Sequence, residues 1–412
     1  MKFNKILCAG TALLLAGSLG GCSMKFGTKT EPKPEAVIAE PTNGGDDSMK
    51  ITYEDFKKEY TYVLKGEGIE DDTAESVAES CKSDRNTIIT YLINERIIMK
   101  KAAELGISTL TEEEMNAVEE DYNSHIEEQI EAFGEDADYG TADPETITDE
   151  QKRERGSKEF DEYLAGCNMT RDDLLKWQIS SAVTQKLIAE VGKSVEYSAA
   201  EESFLGYEEQ VKQLYNDSLS EYEQGGFTSV WVPEGARMIK HILLGFDEET
   251  QDDITANRQK GDDEAADKIR AEKAAELQDK VDEVQKKLDD GEDFQKLVLE
   301  YSNDAAASSM YPDGYVVIPN GVAYMEEFQE AAFVPEKIGD RTVCVTDYGV
   351  HIMIYADDAK VSDEQKKSFT DYIYEQMKST EFNKKMSEWN TEYAYKIDYD
   401  ALRIDDPADS ST

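Results

Sequence analysis

Basic residues are scarce in this 412-residue chain: 44 Lys and Arg stand against 90 Asp and Glu, a formal net charge of −46. Affinity for nucleic acid comes largely from cations that replace phosphate counterions, so this balance excludes a nucleic-acid partner. Cysteine is rare too. The five present (Cys8, Cys22, Cys81, Cys167 and Cys344) form no C-x-x-C pair, which excludes a disulfide framework and a zinc ribbon. Histidine is scarcer still, with only His125, His241 and His351. No apolar run reaches the ~20 residues that a membrane-spanning helix needs. What is present in quantity is core material: 39% hydrophobic residues with 22 Tyr, 13 Phe and 3 Trp, outside the range of a disordered chain. At roughly 150 residues per domain, the length predicts two or three domains.

The N-terminus reads as an address. Lys2 and Lys5 precede an apolar stretch from Ile6 to Leu19, too short to span a bilayer, which predicts a signal peptide over residues 1–21. Leu19-Gly20-Gly21-Cys22 resembles a bacterial lipobox, so Cys22 is expected to carry a diacylglyceryl group and to hold the chain at the extracytoplasmic face of the cell membrane. An ordinary signal peptide with a chance cysteine is the alternative. Residues 22–49 contain Pro32, Pro34, Pro41 and Asn43-Gly44-Gly45 and are predicted as a flexible tether of about 30 Å.

Residues 50–232 are predicted to be helical. Ile88, Ile89, Leu92, Ile93, Ile97, Ile98, Ala102 and Leu105 recur at the spacing of one buried helix face. Thr111-x-x-Glu114 and Thr170-x-x-Asp173 read as capping boxes. The acidic, glycine-containing stretch Phe133–Gly156 reads as a loop. Residues 233–357 change character: strands over Arg237–Phe246, Gly314–Ile318, Thr342–Thr346 and Val350–Tyr355 alternate with a charged helix Asp263–Leu288 and shorter helices near Asp293–Tyr301 and Glu326–Phe333. The order β-α-α-β-α-β-β describes a compact α+β unit. Residues 358–402 contain a last amphipathic helix, expected to pack on the N-terminal helices, and 403–412 read as a disordered tail. The fold class is therefore multidomain α and α+β, with the second unit inserted into the helical one.

Four motifs in the middle region occur in a telling order: Lys240-His241-Ile242-Leu243-Leu244; Gly291-x-Asp293-Phe294 with Tyr301-Ser302-Asn303-Asp304; Phe328-Gln329-Glu330-Ala331-Ala332-Phe333; and Thr346-Asp347-Tyr348-Gly349-Val350-His351-Ile352. Together they resemble the parvulin family of peptidyl-prolyl isomerases, an FKBP-like α+β fold. Strand periodicity supports the same residues, since Ile239, His241 and Leu243 share a face of the opening strand and His351, Met353 and Tyr355 share a face of the closing strand. The bland alternative is a pair of core histidines that only hold the sheet together. His125, in a charged helix, reads as solvated.

The resemblance implies catalysis without nucleophile, metal or cofactor. It implies His241 and His351 as a hydrogen-bonded pair beneath the site, supported by Thr346, with Asp304 facing the prolyl amide. Phe328 would line the proline pocket, with Tyr324, Met325, Phe333 and Tyr348 as further substrate-binding positions. The family's usual G-G-D-L-G segment is Tyr311-Pro312-Asp313-Gly314 here, where only Gly314 matches, and the usual pocket methionine aligns with Tyr324 or Met325. The loop after the first strand is acidic (Asp247-Glu248-Glu249, Asp252-Asp253), with Arg258 and Lys260 as nearby cations, and reads as a solvated loop unsuited to phosphate. The helical surroundings resemble those of PrsA-type foldase lipoproteins and SurA-like chaperones. That resemblance implies partners that are unfolded secreted polypeptides with X-Pro bonds, held in an apolar cleft of the helical domain. It leaves the oligomeric state open. The rival functions are a non-catalytic holdase whose parvulin unit only binds polypeptide, and a solute-binding lipoprotein with two α/β lobes.

Overall fold

The computed structural model describes residues 31–137 and 146–405; the expected signal peptide and Cys22 lie outside them. In chain order the elements are β1 (Val37–Pro41), β2 (Ile51–Thr52), α1 (Tyr53–Gly66), α2 (Ala78–Glu104), α3 (Glu112–Asp136), α4 (Asp149–Ala165) and α5 (Arg171–Gly192). Then come α6 (Tyr197–Asp217), α7 (Leu219–Gln224), β3 (Arg237–Gly245), α8 (Glu248–Lys260), α9 (Asp263–Glu276), α10 (Gln278–Asp289), α11 (Phe294–Tyr301) and α12 (Ala305–Ser309). The chain closes with β4 (Tyr315–Val317), α13 (Glu326–Ala331), β5 (Arg341–Thr346), β6 (Gly349–Asp358), α14 (Asp363–Tyr393), β7 (Tyr395–Ile397) and α15 (Tyr399–Leu402). Contacts divide it into two units, residues 1–195 with 376–412, and residues 196–375. Among the described residues no helix is long and apolar enough to cross a membrane.

The first unit is built on the α2 stripe. Ile88, Ile89, Leu92, Ile93, Ile97 and Ile98 are buried in a core shared with Leu187 of α5 and with Phe382, Met386 and Tyr393 of α14, and Ala102 is buried too; Leu105, expected on the same face, is instead 52% exposed at the C-cap, where the helix ends. These α2 side chains are therefore taken up by packing and do not line the apolar cleft that the resemblance implies. Both expected capping boxes form, at Thr111 and at Thr170.

Three expectations are corrected here. The tether is shorter than 22–49, because β1 pairs antiparallel with both β2 and β7 and buries Ile38 and Ala39, while Met49 in the following 3-10 turn is buried as well. Both ends of the expected loop Phe133–Gly156 are helix: α3 runs to Asp136 and α4 starts at Asp149, while residues 138–145 lie outside the described residues. The glycines that suggested a loop serve helix packing, since a Cβ on Gly156 would lie 2.0 Å from the Ile130 carbonyl oxygen and one on Gly134 would lie 2.5 Å from that of Lys152. The tail begins later than 403, because Ile404 is buried in the core; residues 406–412 lie outside the described residues.

The second unit holds a four-stranded antiparallel sheet in the order β4-β3-β6-β5. Helices α10 and α11 cover one face, setting Val281, Val284, Leu297 and Val298 on Ile242, Leu244, Val350 and Ile352. The unit reaches beyond 233–357 at both ends. Phe204 and Tyr207 of α6 pack on Phe369 of α14, with Tyr207 and Phe369 stacked at 5.6 Å. Two readings change within it. The acidic stretch after β3 is helix α8, which Asp247 caps and Ile254 and Thr250 anchor. The long charged helix is two, broken at Leu277.

Candidate active site

The site lies on the sheet face opposite α10 and α11. In the β3–β6 register His241 stands opposite Met353 and His351 opposite Leu243, so the imidazoles are diagonal neighbours on one face. Their rings stack with centroids 5.1 Å apart, and the two Nδ1 atoms are 2.9 Å apart. Each histidine is only 5% exposed.

The Tyr301-Ser302-Asn303-Asp304 motif continues the sheet where β4 ends. β4 pairs only with Arg237–Ile239. Beyond it the Leu243 N–H donates to Ser302 Oγ (3.1 Å), the Asn303 N–H to the Leu243 carbonyl (2.8 Å), and the Gly245 N–H to Asn303 Oδ1 (2.9 Å). These bonds satisfy the exposed edge of β3 and fix the next residue, Asp304, against the histidines. Its Oδ1 caps α12 by accepting from the Ala306 N–H (2.9 Å), and its Oδ2 lies 2.7 Å from His241 Nε2.

The sequence reading missed Tyr315. Its hydroxyl donates to Asp304 Oδ2 (2.7 Å), and its ring meets His241 edge-on at 5.3 Å. The available signal was an aromatic with a polar handle on a short strand, which when half-buried demands a partner. Gly314 before it is required, because its φ is +112° and a Cβ would lie 2.9 Å from the Ile239 carbonyl oxygen.

Hydrogen-bond logic assigns every proton in this chain of groups. The carboxylate of Asp304 can only accept, so His241 Nε2 carries a proton and the neutral ring presents Nδ1 as acceptor. His351 Nδ1–H therefore donates to His241, leaving His351 Nε2 to accept from the Thr346 hydroxyl at 2.8 Å. Thr346 Oγ1 in turn accepts from the Tyr348 N–H at 3.2 Å. Titration behaviour agrees with neutral rings. Burial lowers the His241 pKa against the pull of Asp304, and burial together with the neighbouring His241 takes that of His351 down to about 3. Burial works against the charged form of Asp304, yet hydrogen bonds from Tyr315 and His241 hold its carboxyl below the ordinary value.

Phe328 of α13 stands edge-on to both imidazoles, at 5.3 Å from each, and Tyr324 packs on Phe328 at 5.3 Å. Met325 is the N-cap position of α13 and is half-buried. Tyr348 holds Thr346 through its backbone while its side chain is 55% exposed. Phe333 lies apart from the imidazoles: the Arg237 guanidinium sits over its ring at 4.9 Å. Cys344 faces the same cluster as Phe328 and Met353, and burial pushes its thiol up to about 12. At the rim, Arg258 binds Asp263, Asp267 and Asp347, and Arg270 binds Asp267, Asp347 and Glu327, so both guanidiniums are occupied. Among the described residues no cluster of three or more His, Cys, Asp or Glu side chains could hold a metal ion.

The arrangement supplies no free nucleophile and no free base. Every imidazole nitrogen is already bonded and the thiol is protonated at neutral pH. What remains is a desolvated aromatic wall beside a carboxylate held in one orientation.

Residues 236–360 match the family of the PPIC-type PPIase domain. The foldase protein PrsA of Geobacillus kaustophilus is 32% identical over 213 residues, covering 50% of this chain and 71% of that protein. Among solved structures, PrsA from Bacillus subtilis covers 87% of this chain and 93% of its own at 19% identity, with a TM-score of 0.23. PrsA from Bacillus anthracis covers 75% and 99% at 17% identity, with a TM-score of 0.20. Those scores are low, and the family assignment rests on the sequence matches.

Proposed function

The chain belongs to the PrsA family of foldases, and from that premise we propose that it is a membrane-anchored, extracytoplasmic peptidyl-prolyl cis-trans isomerase acting on unfolded secreted polypeptides. The observation that carries the catalytic half is the unbroken hydrogen-bond chain Tyr315–Asp304–His241–His351–Thr346 beneath the Phe328 wall.

The X-Pro amide resists rotation because of its partial double bond, a barrier of about 18–20 kcal/mol. A catalyst need only bind the twisted amide better than either planar form. Phe328 and Tyr324 would hold the pyrrolidine ring in apolar surroundings. Removal of water weakens the charge-separated resonance form and so favours twisting. Asp304 would face the amide with its charge and direction fixed, because Tyr315, His241 and the Ala306 N–H all donate to it. The neutral histidine pair would act as a rigid support and take no proton from substrate.

The saturated guanidiniums of Arg258 and Arg270, set among carboxylates, speak against recognition of a phosphorylated residue. Anchoring through a lipid on Cys22, after loss of Lys2 and Lys5 with the signal peptide, would keep a body of net charge 42 − 90 = −48 at a membrane from which its own charge repels it.

A protease-coupled or NMR exchange assay on Xaa-Pro peptides tests the reading, comparing the full chain with the His241→Ala, His351→Ala double variant. Turnover in the parent and a loss of at least about tenfold in the variant is the expected result. A parent that binds the peptides without accelerating exchange would instead make the unit a polypeptide-binding module.

A further inference from the structure

The pocket wall is held from outside the isomerase-type domain. Helix α7 precedes the matched residues 236–360. Its Tyr222 is fully buried, donates its hydroxyl to the Trp231 carbonyl at 2.6 Å and meets the rings of Tyr215 and Trp231 edge-on. That anchor fixes the direction of the next residue, Glu223. Glu223 Oε2 accepts from the Val322 N–H at 2.6 Å. Its Oε1 lies 2.5 Å from where a Cβ on Gly321 would stand, with Ile318 Cγ1 at 3.0 Å and Gln329 Oε1 at 3.1 Å, so a side chain at 321 would push the carboxylate aside.

The segment it grips is a turn. Gly321 N–H donates to the Ile318 carbonyl, Asn320 has φ +58°, and Gln329 Nε2 of α13 donates to the Ile318 carbonyl at 2.6 Å. The Val322 side chain is 59% exposed and supplies no apolar anchor of its own. Two residues on, Tyr324 packs between Phe328 and Tyr315, at 5.3 and 6.2 Å. Tyr324 also donates its hydroxyl to the Val316 carbonyl at 3.1 Å, so its ring is held at the tip by β4 and at the backbone by the turn that contains Val322.

We propose that Glu223 is a positioning residue for this pocket, holding the 318–324 segment so that Tyr324 stands against Phe328. The proposal rests on the reading of that pocket as a proline-binding site. It makes the helical segment ahead of the domain part of the substrate-binding apparatus. A hydrogen bond to a charged acceptor of this kind corresponds to roughly a tenfold effect on an equilibrium.

The test uses the full chain and three variants, Glu223→Ala, Glu223→Gln and Gly321→Ala. Three quantities are read: KM and kcat for peptide exchange, peptide Kd from the shifts of tyrosine resonances, and hydrogen exchange of the Val322 amide. In Glu223→Ala, KM and Kd are expected to rise about five- to tenfold with kcat within about twofold and a near-ultraviolet circular dichroism spectrum that still reports a folded chain. Val322 protection should fall in parallel. Glu223→Gln keeps an acceptor oxygen and should restore binding, whereas Gly321→Ala should reproduce the loss with Glu223 intact. Unchanged Val322 protection or unchanged Kd in Glu223→Ala overturns the proposal, as does a Gln variant as impaired as Ala. If the parent binds peptide without catalysing exchange, the isomerase reading fails while Kd still decides the role of Glu223. If the parent binds no peptide, the proline-pocket reading fails, and Val322 protection alone decides whether Glu223 holds the turn.

Discussion

Alternate residues of β3 and β6 go to opposite sides of the sheet: Ile242, Leu244, Val350 and Ile352 to one, His241 and His351 to the other. The first face is sealed by the apolar side chains of α10 and α11. The second buries its histidines as deeply, yet covers them with Phe328, Tyr315 and Tyr324 and connects them by hydrogen bonds to Asp304 and Thr346. A polar group is tolerated in a dry interior only with its partners in place. The comparison shows what each side has to preserve: volume on the covered face, proton placement on the other.

The largest expected effect breaks the covered face. Ile352→Ala removes a fully buried side chain from a packed cluster, at a cost of about 2–5 kcal/mol in the stability of the sheet unit. Denaturant unfolding followed by near-ultraviolet circular dichroism reads this; a shift under about 1 kcal/mol would mean that α10 and α11 close over the gap.

The second effect belongs to the histidine face and is a matter of pH. Both imidazoles have folded pKa values below the ordinary 6.5, that of His351 about 3, because burial favours the neutral ring. Their contribution is fully present above pH 6.5 and is lost as pH falls, since the unfolded chain then takes up protons that the folded one refuses. Between pH 6 and pH 5, His351 alone should remove about 1 kcal/mol, with His241 acting in the same direction. Relief of repulsion in a chain of charge −46 would have the opposite sign. The decisive quantity is thus the difference in pH slope between the parent and His351→Asn, and equal slopes would refute neutral, buried rings.

These two faces were also unequally legible in the sequence. The histidine face could be read because strand alternation is a local signal, and His241 and His351 fall on it beside motifs that also bring Asp304, Thr346 and Phe328. Tyr315 could not be read, because its role depends on the direction of a hydroxyl toward Asp304, across a turn whose shape is set by Gly314. β1 was hidden for another reason. Val37–Pro41 lies among prolines, pairs with only two residues of β2 and takes its longer pairing from Tyr395–Ile397 at the other end of the chain, so nothing within any short window marks it as a strand. Gly134 and Gly156 misled because glycine signals both a turn and a close helix crossing, and only the neighbouring backbone distinguishes the two. Glu223 shared the difficulty of β1: its partner is a backbone N–H that only the folded turn presents.

The smallest effect sharpens the comparison most, because a tyrosine–carboxylate bond can be compared on either side of the sheet. Tyr315 donates to Asp304 at 2.7 Å on the histidine side, and Tyr301 donates to Glu283 at 2.6 Å beside the covered face. The second pair is exposed, so water can replace either partner and Tyr301→Phe should change stability by less than about 0.5 kcal/mol. The first is part-buried and its acceptor also receives His241 Nε2–H. Tyr315→Phe should therefore cost about 1 kcal/mol. The lost donor had favoured the ionised carboxylate, so the Asp304 pKa must rise. An activity that needs the ionised form should then lose its acid limb at a higher pH than in the parent, while Tyr301→Phe leaves that limb where it was. A limb that stays in place in both variants would separate Tyr315 from the function of Asp304 and leave it a packing residue of the aromatic wall.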